Sequence, residues 1–123
     1  MHHIDIHVRD LAAAKRLFDG IAPHIGFELR SEDSDFVSYW RSKKRPSVGF
    51  IQDDYAGSGF LRLAFAARDA SAVDAAADAA KRNGARQIDG PAVHAEYGDD
   101  YYAVFFEDVE GNKFEVILDP EFT

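Results

Sequence analysis

The chain contains no cysteine among its 123 residues. That excludes disulfides, thiolate metal sites and a cysteine nucleophile, and it suits a reducing, cytoplasmic setting. No apolar run approaches the roughly 18 residues of a membrane span. The chain opens directly on a strand-like pattern, so we expect no signal peptide and no membrane partner. Positive charge is also scarce: 14 Lys and Arg stand against 22 Asp and Glu, a net charge of −8. A nucleic-acid partner needs a basic face, and we expect none here. The deficit is uneven, net −1 over residues 1–61 and net −7 over residues 62–123. The one basic cluster, Arg41, Lys43, Lys44 and Arg45, reads as a solvated turn. Gly-rich phosphate loops, nucleophile elbows and zinc-protease motifs are all missing.

What is present is a periodic, 46% hydrophobic sequence of globular type. His3 to Val8 alternates polar and apolar residues, which predicts a half-buried strand. Asp10 suits a helix N-cap, and Leu11, Ala14, Leu17, Phe18 and Ile21 follow at helical spacing. Gly26 is a stop signal. Strands are expected at residues 27–30, 35–40 and 47–52, with a polar turn from Arg41 to Pro46. A Gly-containing stretch, 53–59, reads as a linker. The pattern then starts again. Residues 61–66 read as strand, Asp69 as cap, and 70–83 as an alanine-rich helix ended by Gly84. Residues 85–93 read as a short strand and loop, and 101–106 and 112–118 as strands.

The two halves superpose at an offset of 59. Val8-Arg9-Asp10 lies over Ala67-Arg68-Asp69, and His3 lies over Arg62. The aromatic pairs Tyr39-Trp40 and Tyr101-Tyr102 fall at an offset of 62. The expectation is an α+β fold: one domain, 1–123, of two tandem βαβββ modules, about 1–52 and 60–119, closing around a shared cavity. Strand parity puts Ile4, Ile6, Val8, Leu61, Leu63, Phe65, Phe114, Val116 and Leu118 on the helix side. His3, Asp5, His7, Arg62 and Glu115 then face the other way. His7, close to Asp5 on the strand, could act as a general acid or base held by that carboxylate. Trp40, Tyr97, Tyr101 and Phe105 could line an aromatic pocket, though strand aromatics suit core packing equally.

HHIDIHVRDL (2–11), LRLAFAARD (61–69) and YYAVFFEDVEGNKFEVI (101–117) together resemble the vicinal oxygen chelate superfamily. That group includes glyoxalases, extradiol dioxygenases, fosfomycin-modifying enzymes and bleomycin-resistance proteins. The resemblance implies a glyoxalase-like, cavity-enclosing domain that binds a small organic molecule and pairs into homodimers. Its activity would be that of a lyase, an isomerase or a dioxygenase acting on vicinal oxygens. The alternative is a non-enzymatic protein that sequesters a ligand or antibiotic.

In metal-dependent members a first-strand His, a fifth-strand His and a last-strand Glu bind a divalent cation. Here His3 and Glu115 match the first and last positions, but Arg62 stands at the second. A guanidinium has no lone pair for a metal. Three readings follow. In the preferred one there is no cofactor, Arg62 supplies the metal's charge and pairs with Glu115, and Glu115 or His7 serves as base. In the second, Zn, Ni, Mn or Fe binds through His3, Glu115 and a substitute such as His7 or Asp5. In the third, these groups form only a structural polar network.

Overall fold

The computed structural model describes residues 1–57 and 61–122. The element order is β1 (His3–Val8), α1 (Leu11–Ile21), β2 (Glu28–Glu32), β3 (Phe36–Arg41), β4 (Lys44–Gln52), β5 (Arg62–Ala67), α2 (Ala70–Arg82), β6 (Arg86–Val93), β7 (Tyr102–Glu107) and β8 (Lys113–Leu118). This is the βαβββ pattern twice over. Each module forms its own four-stranded sheet, ordered β1-β4-β3-β2 and β5-β8-β7-β6. In each, the first strand lies parallel to the last and the other pairs are antiparallel. The parallel pair follows from the crossover through the helix. Within the expected linker, residues 53–57 leave β4 through a turn; residues 58 and 59 lie outside the described residues, as does Phe60.

Local chemistry sets the helix limits. Asp10 accepts the Ala13 N–H and Asp69 accepts the Ala72 N–H, so both helices start on an aspartate cap. Gly26 (φ +76) and Gly84 (φ +96) turn the chain out of each helix region in the left-handed conformation that glycine tolerates. The 41–46 turn is tighter than expected. Ser42 (φ 47) and Lys43 (φ 63) form a two-residue hairpin, and β4 already begins at Lys44. Residues 85–93, read as a short strand and loop, contain the single strand β6, with register shifts and Gly90 at φ +102.

Strand parity behaves as the alternation predicts. Ile6, Val8, Phe65, Phe114 and Val116 are buried in the core, and Ile4, Leu63 and Leu118 pack against it. The helices pack on each other and on these faces. Phe18 of α1 meets Phe27, Tyr39 and Phe50 of its own module and Phe65 of the next, so one core joins both halves. A polar clamp crosses the same junction. The Glu110 carboxylate, in the β7–β8 turn, accepts the N–H groups of Arg9 (2.6 Å) and Asp10 (3.1 Å). Gln52 accepts the Leu11 N–H beside them.

The repeat holds at an offset of 59 through strand and helix, then slips. Ile4 pairs with Val48 and Tyr39 with Val48, whereas Leu63 pairs with Phe114 and Phe106 with Phe114. Tyr39 therefore corresponds to Phe106, an offset of 67, and the overlay of Tyr39-Trp40 on Tyr101-Tyr102 is out of register. β6 and its following loop occupy residues 86–101, where the first module uses only 28–35. The second module is eight residues longer at that place.

Candidate functional site

The polar face of the second sheet carries a cavity of about 300 Å³. Its floor is set by strand register. Phe105 sits between Glu115 on β8 and Asp89 on β6. The Arg62 guanidinium, from the first residue of β5, lies 5.5 Å from the Phe105 ring centroid, a cation–π contact. The extra loop supplies one wall. Tyr97, 56% exposed, places its ring 6.0 Å from Phe105 and 5.2 Å from Tyr101. Buried His94 meets the Phe105 ring edge-on at 4.7 Å. Its Nε2 lies 3.1 Å from the Ala103 carbonyl oxygen. A carbonyl only accepts, so Nε2 carries a proton, and Nδ1 faces the Glu96 carboxylate at 3.5 Å.

Glu115 is only 5% exposed, although it shares a face with Arg62. Its carboxylate accepts a hydrogen bond from the Tyr101 hydroxyl. Burial, and then that bond, push the Tyr101 hydroxyl up to about 12, while the nearby Arg62 charge pulls the other way. The expected Arg62–Glu115 ion pair does not form. Arg62 is in register with Lys113 and Glu115 with Ala64, so the two stand one face-repeat apart, and each has found a different partner.

The other expected residues lie on the first sheet. His3, Asp5 and His7 are exposed on β1, on the face away from α1. His3 Nε2 is 3.6 Å from Asp5. His7 Nδ1 is 2.9 Å from Asp53, so the carboxylate that orients it comes from the linker and not from Asp5. Trp40 lies on β3 beneath the Arg30 guanidinium, 5.3 Å away. Of these, His3 and Asp5 line a separate cavity of about 220 Å³, together with His2, Arg30 and Arg45. The exposed His2 imidazole is held below its usual pKa, chiefly by the Arg45 charge.

One shared cavity within the chain is thus replaced by two half-sites. The helices pack together, and each sheet turns its polar face away from the common core. Arg62, Tyr97, Tyr101, Phe105 and Glu115 gather on the second sheet; His3, Asp5, His7 and Trp40 stay on the first. His94, Asp89, Arg30 and Asp53 carry no functional assignment from the sequence, and Arg45 reads there only as part of a turn. The extra eight residues of the second module were the available signal for His94.

The donor set within one chain does not fit a divalent cation. Arg62 stands at a ligand position, Tyr101 already bonds Glu115, and His3 is on the other sheet. Among the described residues no three His, Asp or Glu side chains group suitably for a metal ion.

Two βαβββ sheets with the helices packed between them give the chain the fold of the glyoxalase/bleomycin-resistance type. A glyoxalase/bleomycin resistance protein from Albidiferax ferrireducens superposes with a TM-score of 0.80, at 23% identity over 97% of this chain and 98% of that one. The antibiotic binding protein TnmS3 from Streptomyces superposes at 0.67, with 19% identity over 96% and 93% of the two chains. In sequence, the uncharacterized protein YqjT of Bacillus subtilis is 28% identical over 127 residues, 95% of this chain and 97% of its own. No protein-family model matches the chain. Among the described residues no helix is long and apolar enough to cross a membrane.

Proposed function

We propose that this is a small-molecule-binding protein of the glyoxalase/bleomycin-resistance type that works without a metal, with Arg62 supplying positive charge where relatives place a cation. The observation that carries this reading is the Arg62 guanidinium over Phe105, beside the exposed Tyr97 ring, in a cavity of about 300 Å³. Aromatic walls with a few oriented polar groups suit a small organic ligand. The neighbouring fold of an antibiotic binding protein supports sequestration as its use. The net charge of −8 and the absence of cysteine support a cytoplasmic protein that does not bind nucleic acid.

The working unit is a homodimer. β1 and β5 are free edge strands, and the two half-sites lie on separate sheets. A second copy would set the arginine-bearing face of one chain over the carboxylate-bearing face of the other, so that both halves line one ligand.

Bleomycin and a panel of aromatic carboxylates test this reading by thermal shift. A ligand present at about 100 times its Kd stabilises the folded state by about 2.7 kcal/mol. Stabilisation should disappear in Arg62→Gln and fall in Tyr97→Ala. Stabilisation that survives both changes would overturn the assignment. Metal analysis of protein purified without chelator tests the cofactor. Stoichiometric metal in the unmodified chain would refute the metal-free reading, and metal gained only by Arg62→His supports it.

His94 favours a second reading, an enzyme that moves a proton beside adjacent oxygens. With Nε2 bonded to the Ala103 carbonyl, Nδ1 is the nitrogen that would, in the neutral imidazole, take a proton from a carbon next to a ligand carbonyl, and Arg62 would stabilise the oxyanion left behind. His94→Gln then abolishes turnover, whereas under the binding reading it leaves ligand stabilisation in place.

A further inference from the structure

We propose that the first sheet carries an oxyanion-binding site of its own, between Arg30 and Arg45. Both arginines line the 220 Å³ cavity on the face away from α1, together with His2 and His3. Among the described residues neither arginine forms an ion pair with a carboxylate. Their partners are neutral hydroxyls instead. Arg45 Nη1 donates to Ser47, and Arg30 Nη1 donates to Ser31 (3.3 Å) and Ser38 (3.4 Å). On a chain with 22 acidic residues, two guanidinium groups that share a cavity without a carboxylate partner leave a charge unanswered.

The floor is built for a compact guest. Ser47 lies in register between His3 and Trp40, and Gly49 between Asp5 and Ser38. Ser38 and Ser47 are 2% and 4% exposed. Ser47 accepts from Arg45, which leaves its own O–H proton free to donate upward. Gly49 must stay bare, since a Cβ there would lie 2.4 Å from the Asp5 carboxylate and 2.8 Å from the Phe36 ring. Each guanidinium offers five N–H donors and uses only one nitrogen on the sheet, so a donor edge remains on each side of the cavity. Asp5 also lines the cavity, but His3 lies 3.6 Å from its carboxylate. The arrangement suits a carboxylate, phosphate or phosphonate group, since arginine pairs with these in a bidentate manner. It excludes a cation, because two permanent positive charges would oppose one. Arg30 also lies over the Trp40 ring, a contact that limits the entropy lost on binding.

The site lies in one chain and does not depend on the Arg62 cavity. If two copies pair, it would hold the anionic end of the ligand whose remainder reaches the partner's aromatic wall. Trp40 is the single tryptophan, so its fluorescence reads the site directly. The experiment titrates the full chain with inorganic phosphate, and separately with phenylphosphonate, at constant ionic strength. Trp40 emission and backbone amide shifts are followed. The expected result is saturable binding with shifts centred on residues 38 and 47, weakened at least tenfold by Arg45→Gln and by Arg30→Gln. Arg45→Lys, which keeps charge but loses the fork, should fall between, and Lys81→Gln, which removes a charge on α2 away from both cavities, should bind as the unmodified chain does. Tighter binding of phenylphosphonate assigns the site to the anionic end of an organic ligand. Equal binding assigns it to free oxyanions. Non-saturating changes with both probes, or equal losses in Lys81→Gln and Arg45→Gln, would overturn the proposal. Because ligand capture at Arg62 is read separately by thermal shift, either idea can fail alone.

Discussion

The two modules share a plan up to the end of their helices and part company afterwards. Both run a strand into an aspartate-capped helix, at an offset of 59. Their helices nevertheless fill space differently. α1 buries Leu17, Phe18 and Ile21, whereas α2 buries Val73 and four alanines. Ala77 takes the place of Phe18. After the helix the second module inserts eight residues, and these bring Tyr97, His94 and Glu96 over the sheet. Their polar faces differ as well. The first cavity has two arginines and one carboxylate; the second has Asp89, Glu96 and Glu107 around Arg62 and Lys113. A duplicated frame thus keeps what the core requires and varies the outward face, where the register imposes no packing.

The sharpest way to break this comparison is through the unequal helices. Phe18→Ala should cost roughly 3–5 kcal/mol, because it opens a cavity shared by both modules. The corresponding Ala77→Gly should cost about 1 kcal/mol, mainly helix propensity. Urea unfolding of both variants checks the ratio; equal losses would mean that the core is not centred on the first helix.

A smaller effect separates the polar faces. Tyr101→Phe leaves the buried Glu115 carboxylate without its hydroxyl donor and should cost about 1–3 kcal/mol near neutral pH. The phenol is raised to about 12 in the fold, so its neutral form is the one favoured. Its contribution is therefore fully present below the ordinary tyrosine value near 10 and is lost as pH rises through about 12. A tyrosinate absorbance titration should show one component near the upper value that vanishes in Tyr101→Phe.

The smallest effect concerns the junction. Glu110→Gln removes the charge and one of the two acceptor oxygens, so one of the Arg9 and Asp10 N–H groups loses its partner, and should cost about 1 kcal/mol. A loss in thermal stability confined to one module, read by amide exchange, would show that the clamp does not couple the halves.

Much of the frame was legible in the sequence because it is written in periodicity and caps. Asp10 and Asp69 marked both helix starts, and the alternation from His3 to Val8 set the buried face correctly. Pairing across sheets was not legible. Strand parity tells which way His3 and Arg62 point, but not that packing of α1 on α2 turns the two faces apart. Arg62 and Glu115 looked like partners because both face the same side. The register places Lys113 opposite Arg62 and Tyr101 within reach of Glu115, which only the folded hairpin reveals. Arg45 was hidden for a different reason. It sits in a run of four basic residues that reads as turn, yet Ser42 and Lys43 alone make the turn, and Arg45 returns along β4 to the cavity.

The Glu110 clamp also bears on the order in which the protein is made. The amides of Arg9 and Asp10 meet their acceptor 101 and 100 positions further along the chain. A ribosome that has released only the first half therefore holds a helix preceded by two amides that still face water, and whose Phe18 still lacks Phe65. Emergence of the last hairpin is the event that closes the N-terminal half, so truncations before residue 110 should leave a nascent chain that is a substrate for chaperones and proteases.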